Sequence, residues 1–279
     1  MCATLHQRRV NDEGDRAAYT GDRDTAESRM KRFFPGVVNT IRRAGRRYLP
    51  QRVPRRTVKV NGIALDLADH PTSVVRDEVA AALEDDLYGI ETVAFCSKDI
   101  VIDIGANIGM VSLYIARKFP DVTVYAYEPI PANYAHLLQN IGNNGVGNIR
   151  AFNVAVTGDG RDIDMVVHPA SNTGGATACL GNMRPEGHEY HRVRSITLDE
   201  VFAANNIERC RLLKIDCEGS EHEMLLSTRS LGRIDFLSAE FHINRNLETK
   251  GYSIERLTGY CRKYFAADKL RIHSVRMAE

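Results

Sequence analysis

Two glycines follow a short apolar run in the first half of the chain. Residues 101–104 read Val-Ile-Asp-Ile, and Gly105 and Gly109 come next, before a helix-forming segment. A glycine at the end of a strand lets the main chain turn tightly and approach a ligand, and a second one lets the following helix pack closely. This strand, loop and helix predict a site for a nucleotide-like cofactor at the carboxyl end of the strand.

An acidic residue lies at a distance from this loop that suits recognition of a ribose. Glu128 follows the apolar run 122–127 and comes 19 residues after Gly109. An acid about 20 residues beyond such a loop accepts hydrogen bonds from ribose hydroxyls. The loop and Glu128 together predict a cofactor that contains adenosine.

The glycine spacing and Asp103 separate two kinds of adenosine cofactor. The loop reads G-x-x-x-G, whereas dinucleotide-binding loops read G-x-G-x-x-G. Asp103 precedes the first glycine by two residues, where a carboxylate would repel a pyrophosphate and attract a cationic amino-acid tail. We therefore expect S-adenosylmethionine, which carries ammonium and sulfonium charges and no phosphate.

A second group of ionisable residues follows two later apolar runs. Asp216 ends the run LLKI and is followed by Glu218 and Glu221, while Glu240 and His242 occupy alternate positions in FLSAEFH. The carboxyl ends of neighbouring parallel strands open on one crevice. We therefore expect Asp216, Glu240 and His242 to face a ligand together, and Glu221 to cap the helix that it begins.

These side chains could assist attack by a hydroxyl group, which is a poor nucleophile until it loses its proton. His242 could act as general base, oriented by a carboxylate. Alternatively, Asp216, Glu240 and His242 could hold a divalent ion such as Mg²⁺, which would lower the pKa of the hydroxyl. Because Mg²⁺ rarely needs a histidine, we favour the base, and the divalent metal stays a possible but less favoured alternative.

The order of elements predicts the scaffold. Apolar runs alternate with helical patterns, which is typical of a doubly wound α/β fold with a mostly parallel sheet. We predict strands at 100–104, 122–127, 149–157, 211–215 and 234–240, and helices at 109–118, 131–141 and 220–227. A hairpin that turns at Asn61-Gly62 and a helical segment at 72–95 precede them as an N-terminal extension.

Local signals mark several helix ends. Pro131 suits the first position of a helix, and Gly142 is expected to end the same helix. Ser220-x-x-Glu223 and Thr197-x-x-Glu200 both match the capping-box pattern.

Charge is distributed unevenly along the chain. Residues 1–56 hold fourteen Lys/Arg and six Asp/Glu, whereas residues 57–279 have a net charge of −7. We expect 1–56 to form a basic, partly disordered arm with a short helix at 28–48, and 57–279 to form the catalytic domain. Within that domain, 157–195 are expected to form an inserted hairpin and a substrate-side loop, with the SNTGGAT passage as a mobile wall over the acceptor.

Four segments, VIDIGANIGMVSLYIA, YAYEPIPANY, NVAV and LLKIDCEGSEHEML, resemble in order and spacing the FkbM family of S-adenosylmethionine-dependent methyltransferases. The resemblance covers about residues 85–245 and implies a Rossmann-like, class I methyltransferase domain that methylates a hydroxyl of a sugar or polyketide. It implies a methionine end lined by Asp103, Gly105, Asn107 and Gly109, a ribose held by Glu128, and an adenine bordered by Asn153 and Val154. The tail ending LRIHSVRMAE is short for the closing antiparallel hairpin of such folds.

Two other interpretations stay open. A Rossmann-type NAD(P)-binding oxidoreductase shares the strand, glycine loop and acid, although the glycine spacing speaks against it. A non-catalytic nucleoside-binding module could use the basic arm to hold nucleic acid or a partner, although the crevice acids argue for chemistry.

The expected partner is a small hydroxylated molecule. The chain has no run of about 18 apolar residues and no apolar signal-peptide core, and its six cysteines contain no C-x-x-C pair. We therefore expect a cytoplasmic protein with no membrane span. Nucleic acid is not an expected partner, and a homo-oligomer is left open.

Overall fold

The computed structural model describes residues 55–71, 73–167 and 189–277. Its first element is an antiparallel hairpin of β1 (Arg55–Val60) and β2 (Ile63–Ala68). Asn61 and Gly62 form the turn, with φ of 47° and 81°. Positive φ at both central residues is what a two-residue turn of this type requires, so the predicted hairpin is confirmed.

A six-stranded parallel sheet forms the centre. Its strands are β3 (Ile100–Ile104), β4 (Thr123–Tyr127), β5 (Ile149–Phe152), β10 (Cys210–Ile215), β11 (Ile234–Ile243) and β12 (Leu270–Arg276). Their order is β12-β11-β10-β3-β4-β5, and every neighbouring pair is parallel. This confirms the doubly wound α/β class. The last strand joins the sheet in parallel, where the family resemblance implied an antiparallel hairpin.

Helices cover both faces of the sheet. They are α1 (Val75–Glu84), α2 (Met110–Lys118), α3 (Pro131–Asn144), α4 (Leu198–Ala204), α5 (Glu221–Ser227), α6 (Arg245–Thr249) and α7 (Ile254–Cys261). Val101 packs with residues of the hairpin and α2, whereas its neighbour Ile102 belongs to a core shared with α4, α5 and α7. Apolar side chains on both faces explain the unbroken apolar runs of the central strands.

Two asparagines of α3 fasten the hairpin to the rest of the domain. The Asn140 side chain bonds both the N–H and the C=O of Ala68, at 2.7 and 3.0 Å. Asn144 bonds Asp66 in the same way, with both distances at 2.9 Å. Each amide thus takes the place of a neighbouring strand at the free edge of β2.

Four shorter strands lie in and beside the predicted insertion. β6 (Ala155–Thr157) pairs in parallel with β9 (Ser195–Thr197), and β7 (Ile163–Val167) pairs antiparallel with β8 (Glu189–Val193). The SNTGGAT passage and the predicted helix at 28–48 lie outside the described residues. Within the described ranges, no helix is both long enough and apolar enough to cross a bilayer.

Four element boundaries were predicted wrongly. The strand expected at 234–240 continues to Ile243 in β11. The single strand expected at 149–157 is divided, because β5 ends at Phe152 and β6 pairs with a different strand. The helical segment expected at 72–95 is divided into α1 and a 3-10 turn at Ile90–Thr92, and Gly89 before that turn has a left-handed φ of 69°. α3 continues through Gly142 to Asn144, and Gly145 ends it in the left-handed conformation.

Only one of the two predicted capping boxes forms. Thr197 and Glu200 bond each other's main-chain N–H groups at the start of α4, as predicted. Ser220 makes no capping bond at the start of α5, and the Glu223 carboxylate instead pairs with Arg161 at 3.0 Å.

Candidate active site

A cavity of about 850 Å³ opens at the carboxyl ends of β3, β4 and β10. β4 lies on one side of β3 and β10 on the other, so the order of the strands reverses between β3 and β10. Ligands of open α/β sheets bind at such a point. The volume is in the upper part of the ~300–1,000 Å³ range of ligand pockets, which leaves room for more than one small ligand.

Seven of the ten predicted site residues line this cavity. They are Gly105, Asn107, Glu128, Val154, Asp216, Glu240 and His242. Asp103, Gly109 and Asn153 lie behind the wall and act on the residues that form it, as the following contacts show.

The glycine loop adopts left-handed conformations at three alternate residues. Gly105, Asn107 and Gly109 have φ of 78°, 51° and 88°. The N–H groups of Gly105 and Ala106 both donate to the carbonyl oxygen of Tyr127 at 3.0 Å, which ties the loop to the end of β4. Gly109 faces Leu137 of α3, so its lack of a side chain permits helix–helix contact.

Glu128 is a buried carboxylate in the cavity wall. Its Oε2 accepts the Asn107 N–H at 2.9 Å, and its Oε1 accepts the Ile130 N–H at 2.8 Å. Burial raises the pKa of Glu128 to about 7, although these two bonds oppose the rise. A carboxylate offers about four acceptor positions, so Glu128 can still accept hydrogen bonds from a ligand.

Asp103 is completely buried and does not reach the cavity. Its Oδ2 accepts the Ser112 hydroxyl at 2.6 Å, and its Oδ1 lies 3.3 Å from Nζ of Lys214. Lys214 does line the cavity and donates to the Gly105 carbonyl at 3.0 Å. Burial lowers the pKa of Lys214, but the charges of Asp103 and Asp216 outweigh this and hold it above its usual value.

Asn153 and Val154 occupy the gap between β5 and β6, but they point in different directions. The Asn153 amide donates to the carbonyls of Glu128 and Pro129, both at 2.9 Å, and so holds the main chain around the carboxylate. Val154 faces the cavity. Of this pair, only Val154 is placed to contact a ligand.

Asp216, which directly follows β10, faces the cavity together with Glu240 and His242 of β11, and Glu218 joins them. Asp216 Oδ2 lies 3.6 Å from Lys214 Nζ. Glu218 Oε2 lies 3.5 Å from His242 Nε2. Burial raises the pKa of Glu218 to about 7, and it also raises that of Glu240, where the Asp216 charge adds to the effect.

His242 is paired with Glu221. Its Nδ1 lies 3.0 Å from Glu221 Oε1, and the carboxylate also accepts the N–H groups of Cys217 and Gly219. Burial lowers the pKa of His242, but Glu221 and then Glu218 outweigh it and raise the pKa to about 10. Because a protonated imidazole cannot accept a proton, this arrangement argues against the predicted base role. We expected Glu221 to cap the start of α5. Its carboxylate also binds His242 and the N–H groups of the loop before the helix.

Lys214 and Tyr88 are site residues that were not predicted from the sequence. Lys214 is a charged residue within a run of buried apolar ones, and such a residue needs a partner, which was a usable signal. Tyr88 also lines the cavity, with Lys214 Nζ 6.0 Å from its ring centre. Burial raises the pKa of Tyr88 to about 12, so its hydroxyl is a hydrogen-bond donor. No sequence pattern distinguishes it.

Residues 103–261 match the model of the Methyltransferase FkbM domain, and the chain belongs to this family. The match spans the glycine loop, Glu128 and the cluster around Asp216, so the predicted resemblance is confirmed.

Curated relatives match over parts of their length. The chain is 26% identical to the AMB antimetabolite synthetase AmbE of Pseudomonas aeruginosa, over 85% of this chain and 12% of the synthetase. It is 30% identical to the 31-O-demethyl-FK506 methyltransferase FkbM of Streptomyces tacrolimicus, over 52% of this chain and 65% of that one. It is 25% identical to the hexuronic acid methyltransferase AglP of Haloferax volcanii, over 52% of this chain and 56% of that one. The chain therefore spans less than two thirds of each.

Proposed function

We propose that this chain is an S-adenosylmethionine-dependent O-methyltransferase that acts on a hydroxyl of a small molecule, of the sugar or polyketide type. The observation that carries the proposal is one cavity, at the point where the strand order reverses, with Glu128 on one side and Asp216 and Glu240 on the other. Family membership supports methyl transfer, and the crevice carboxylates support a hydroxyl acceptor.

The residues around Glu128 suit an adenosine. Glu128 would accept the ribose hydroxyls, and Val154 would border the adenine. Asn153 would not contact the adenosine but would position Glu128, because its amide holds the main-chain carbonyls of Glu128 and Pro129. A buried carboxylate with spare acceptor positions is poorly suited to phosphate, which favours a cofactor without phosphate over a dinucleotide.

The loop residues suit the methionine end. Gly105 and Asn107 would contact it, while Gly109 keeps α2 and α3 close together. Asp103 would act indirectly, because it pairs with Lys214 and so holds the ammonium group of that residue at the cavity wall. When bound, S-adenosylmethionine supplies an electrophilic methyl group.

The acceptor hydroxyl needs a group that takes its proton. His242 is engaged by Glu221 at one nitrogen and faces Glu218 with the other, and Asp216 lies beside Lys214. We therefore assign the base role to Glu240, which faces the same cavity from β11. Glu240 would accept the proton of the acceptor hydroxyl while its oxygen attacks the methyl group that a bound S-adenosylmethionine would supply, and S-adenosylhomocysteine would be the leaving group.

The names of two relatives support the substrate class. One of them is a methyltransferase for 31-O-demethyl-FK506 and another for hexuronic acid. The cavity wall includes apolar side chains of α1 and β7, among them Val75, Val79, Ile163 and Met165, next to the carboxylates. A hydroxylated molecule with an apolar face suits this combination.

Isothermal titration of the full chain with S-adenosylmethionine and S-adenosylhomocysteine tests the cofactor, with NAD and NADP as comparison ligands. We expect both methionine cofactors to bind, Glu128→Ala to weaken them at least about tenfold through loss of a charge-assisted hydrogen bond, and the exposed Glu208→Ala to have no effect. Preferential binding of a dinucleotide, or equal binding by both variants, would refute the proposal.

Methyl transfer to a panel of hexuronic acids and hydroxylated macrolides, followed by mass spectrometry, tests the reaction. Glu240→Gln should slow transfer by about 100-fold or more, the typical contribution of a general base, and leave S-adenosylhomocysteine binding unchanged. Undiminished transfer by this variant would remove Glu240 from the mechanism.

A further inference from the structure

We propose that Asp216, Glu218 and His242 form a binding site for a divalent metal ion beside the acceptor position. The inference rests on the proposed function for what the ion does there, but the binding itself can be measured without turnover. His242 lies on β11, and Asp216 and Glu218 lie in the loop between β10 and α5.

The three side chains are already close enough to share an ion. One ligand atom of each lies within 4.8 Å of the other two. Two ligands of one ion lie at most about 4.2 Å apart when each metal–ligand bond is about 2.1 Å. Small rotations of the two carboxylates, which are partly exposed, would close the remaining distance.

His242 is oriented as metal-binding histidines are. Such histidines donate one ring N–H to a carboxylate, which fixes the ring and presents the other nitrogen to the metal. Here Nδ1 bonds Glu221, which is fully buried and held by the N–H groups of Cys217 and Gly219. The opposite nitrogen, Nε2, faces Glu218 Oε2 at 3.5 Å, which is too long for a good hydrogen bond. The His242 ring is itself only 3% exposed, so Nε2 has been directed into the cluster rather than toward solvent.

The local charge favours a cation. Four carboxylates, those of Asp216, Glu218, Glu221 and Glu240, lie around Lys214 and His242. A metal ion bound at His242 Nε2 would take the place of the proton on that nitrogen. Lys214 is also the partner of Asp103. Carboxylates brought together away from water repel one another unless a positive charge lies between them, and a divalent ion would supply it.

The ligand atoms indicate the kind of ion. Two carboxylate oxygens and one imidazole nitrogen form a mixed donor set, whereas Mg²⁺ prefers oxygen donors and water. We therefore infer a first-row transition ion, with Mn²⁺ as the probe. The ion would polarise an acceptor hydroxyl near Glu240 and make its proton easier to remove.

Titration of the full chain with Mn²⁺, followed by the electron paramagnetic resonance signal of the free ion, tests the site. The protein is first treated with EDTA and exchanged into metal-free buffer, and S-adenosylhomocysteine is present or absent. We expect one Mn²⁺ per chain and at least about tenfold weaker binding by Glu218→Gln. Glu221→Gln, which disturbs the orientation of His242, should weaken binding by about 10–100-fold.

Glu223→Gln is the matched control, because Glu223 belongs to the same helix as Glu221 but pairs with Arg161. It should bind Mn²⁺ as the unchanged protein does. Asp216→Asn replaces Glu218→Gln if circular dichroism shows that the latter is unfolded. No binding at millimolar Mn²⁺, or equal binding by Glu218→Gln and Glu223→Gln, would overturn the inference. Cofactor binding in EDTA reports on the proposed function separately, so the two hypotheses can fail independently.

Discussion

Lys214 and Asp103 lie directly opposite each other on β10 and β3 and form a buried ion pair, with Nζ 3.3 Å from Oδ1. Their side chains are 4% and 0% exposed. The pair joins the strand that precedes the glycine loop to the strand that carries Asp216. One salt bridge therefore connects the edge that we propose for the cofactor to the edge that we propose for the acceptor.

Replacement of Asp103 by Asn should lower the free energy of unfolding by about 3–5 kcal/mol, because a buried Lys214 would lose its closest charged partner. Urea denaturation followed by circular dichroism measures the change. The double variant Asp103→Asn/Lys214→Met should recover at least about 1 kcal/mol, since the unpaired charge is then gone. A loss below about 1 kcal/mol in the single variant would show that Asp216 alone can compensate Lys214.

Gly105 has a structural reason to be glycine in addition to its position at the cavity. A Cβ there would lie 1.7 Å from the main-chain oxygen of Asp216, and φ is 78°. Gly105→Ala should therefore cost about 3 kcal/mol, from the left-handed conformation together with the collision. Gly145→Ala is the matched control, since φ is 61° and nothing lies within 4 Å, and it should cost only about 1 kcal/mol. Equal thermal shifts of the two variants would contradict this account.

Glu128 should couple cofactor binding to pH. Burial raises its pKa from 4.5 to about 7, despite two main-chain hydrogen bonds and the charge of Lys214. Ribose hydroxyls favour the ionised carboxylate, so S-adenosylhomocysteine should bind more tightly as pH rises through 7 and should release protons near that pH. Titration calorimetry in buffers of different ionisation enthalpy measures the release, and Glu128→Gln should abolish it.

The same group affects the stability of the ligand-free protein with the opposite sign. A carboxyl whose pKa is higher in the folded state binds protons better there, so its contribution to stability falls as pH rises from about 4.5 to 7. The decline should be smaller for Glu128→Gln. An unchanged pH profile in that variant would mean that folding does not raise the pKa of Glu128.

Gly142→Ala should stabilise the protein by about 0.5–1 kcal/mol. Gly142 lies inside α3 and is exposed, and a Cβ added to it would meet nothing within 4 Å. Alanine restricts the unfolded chain and favours the helix. Thermal unfolding measures the gain. A destabilised variant would mean that α3 ends at Gly142 in solution, as the sequence alone had led us to expect.

Much of the fold could be predicted because local pattern decides it. The strand at 100–104 agrees to the residue with β3, since buried parallel strands have unbroken apolar runs and the glycine loop marks their end. The spacing between Gly109 and Glu128 predicted a ligand site for the same reason, and Glu128 lines the cavity. These signals are contained in short segments, so a single sequence shows them.

The parts that were predicted wrongly or missed depend on contacts between distant segments. The division between β5 and β6 arises because β6 pairs with β9, about 40 residues further along. The pairing of His242 with Glu221 depends on the position of β11 beside α5, so the sequence could not show this contact. Helix propensity could not show where α3 ends either, since one exposed glycine costs a helix only about 1 kcal/mol.

The fastening of β2 by Asn140 and Asn144 has a consequence for local unfolding. The hairpin leads within a few residues into α1, which forms one wall of the cavity through Val75 and Val79. If the four hydrogen bonds of these two side chains break, the hairpin and this wall can separate from the sheet as one cooperative unit. The central strands would remain protected from hydrogen exchange. Amide hydrogen exchange should therefore show one shared opening free energy for β1, β2 and α1, lower than that of β3 and β10. Access to the cavity would then be controlled by the docking of a hairpin, and not by the sheet that forms its floor.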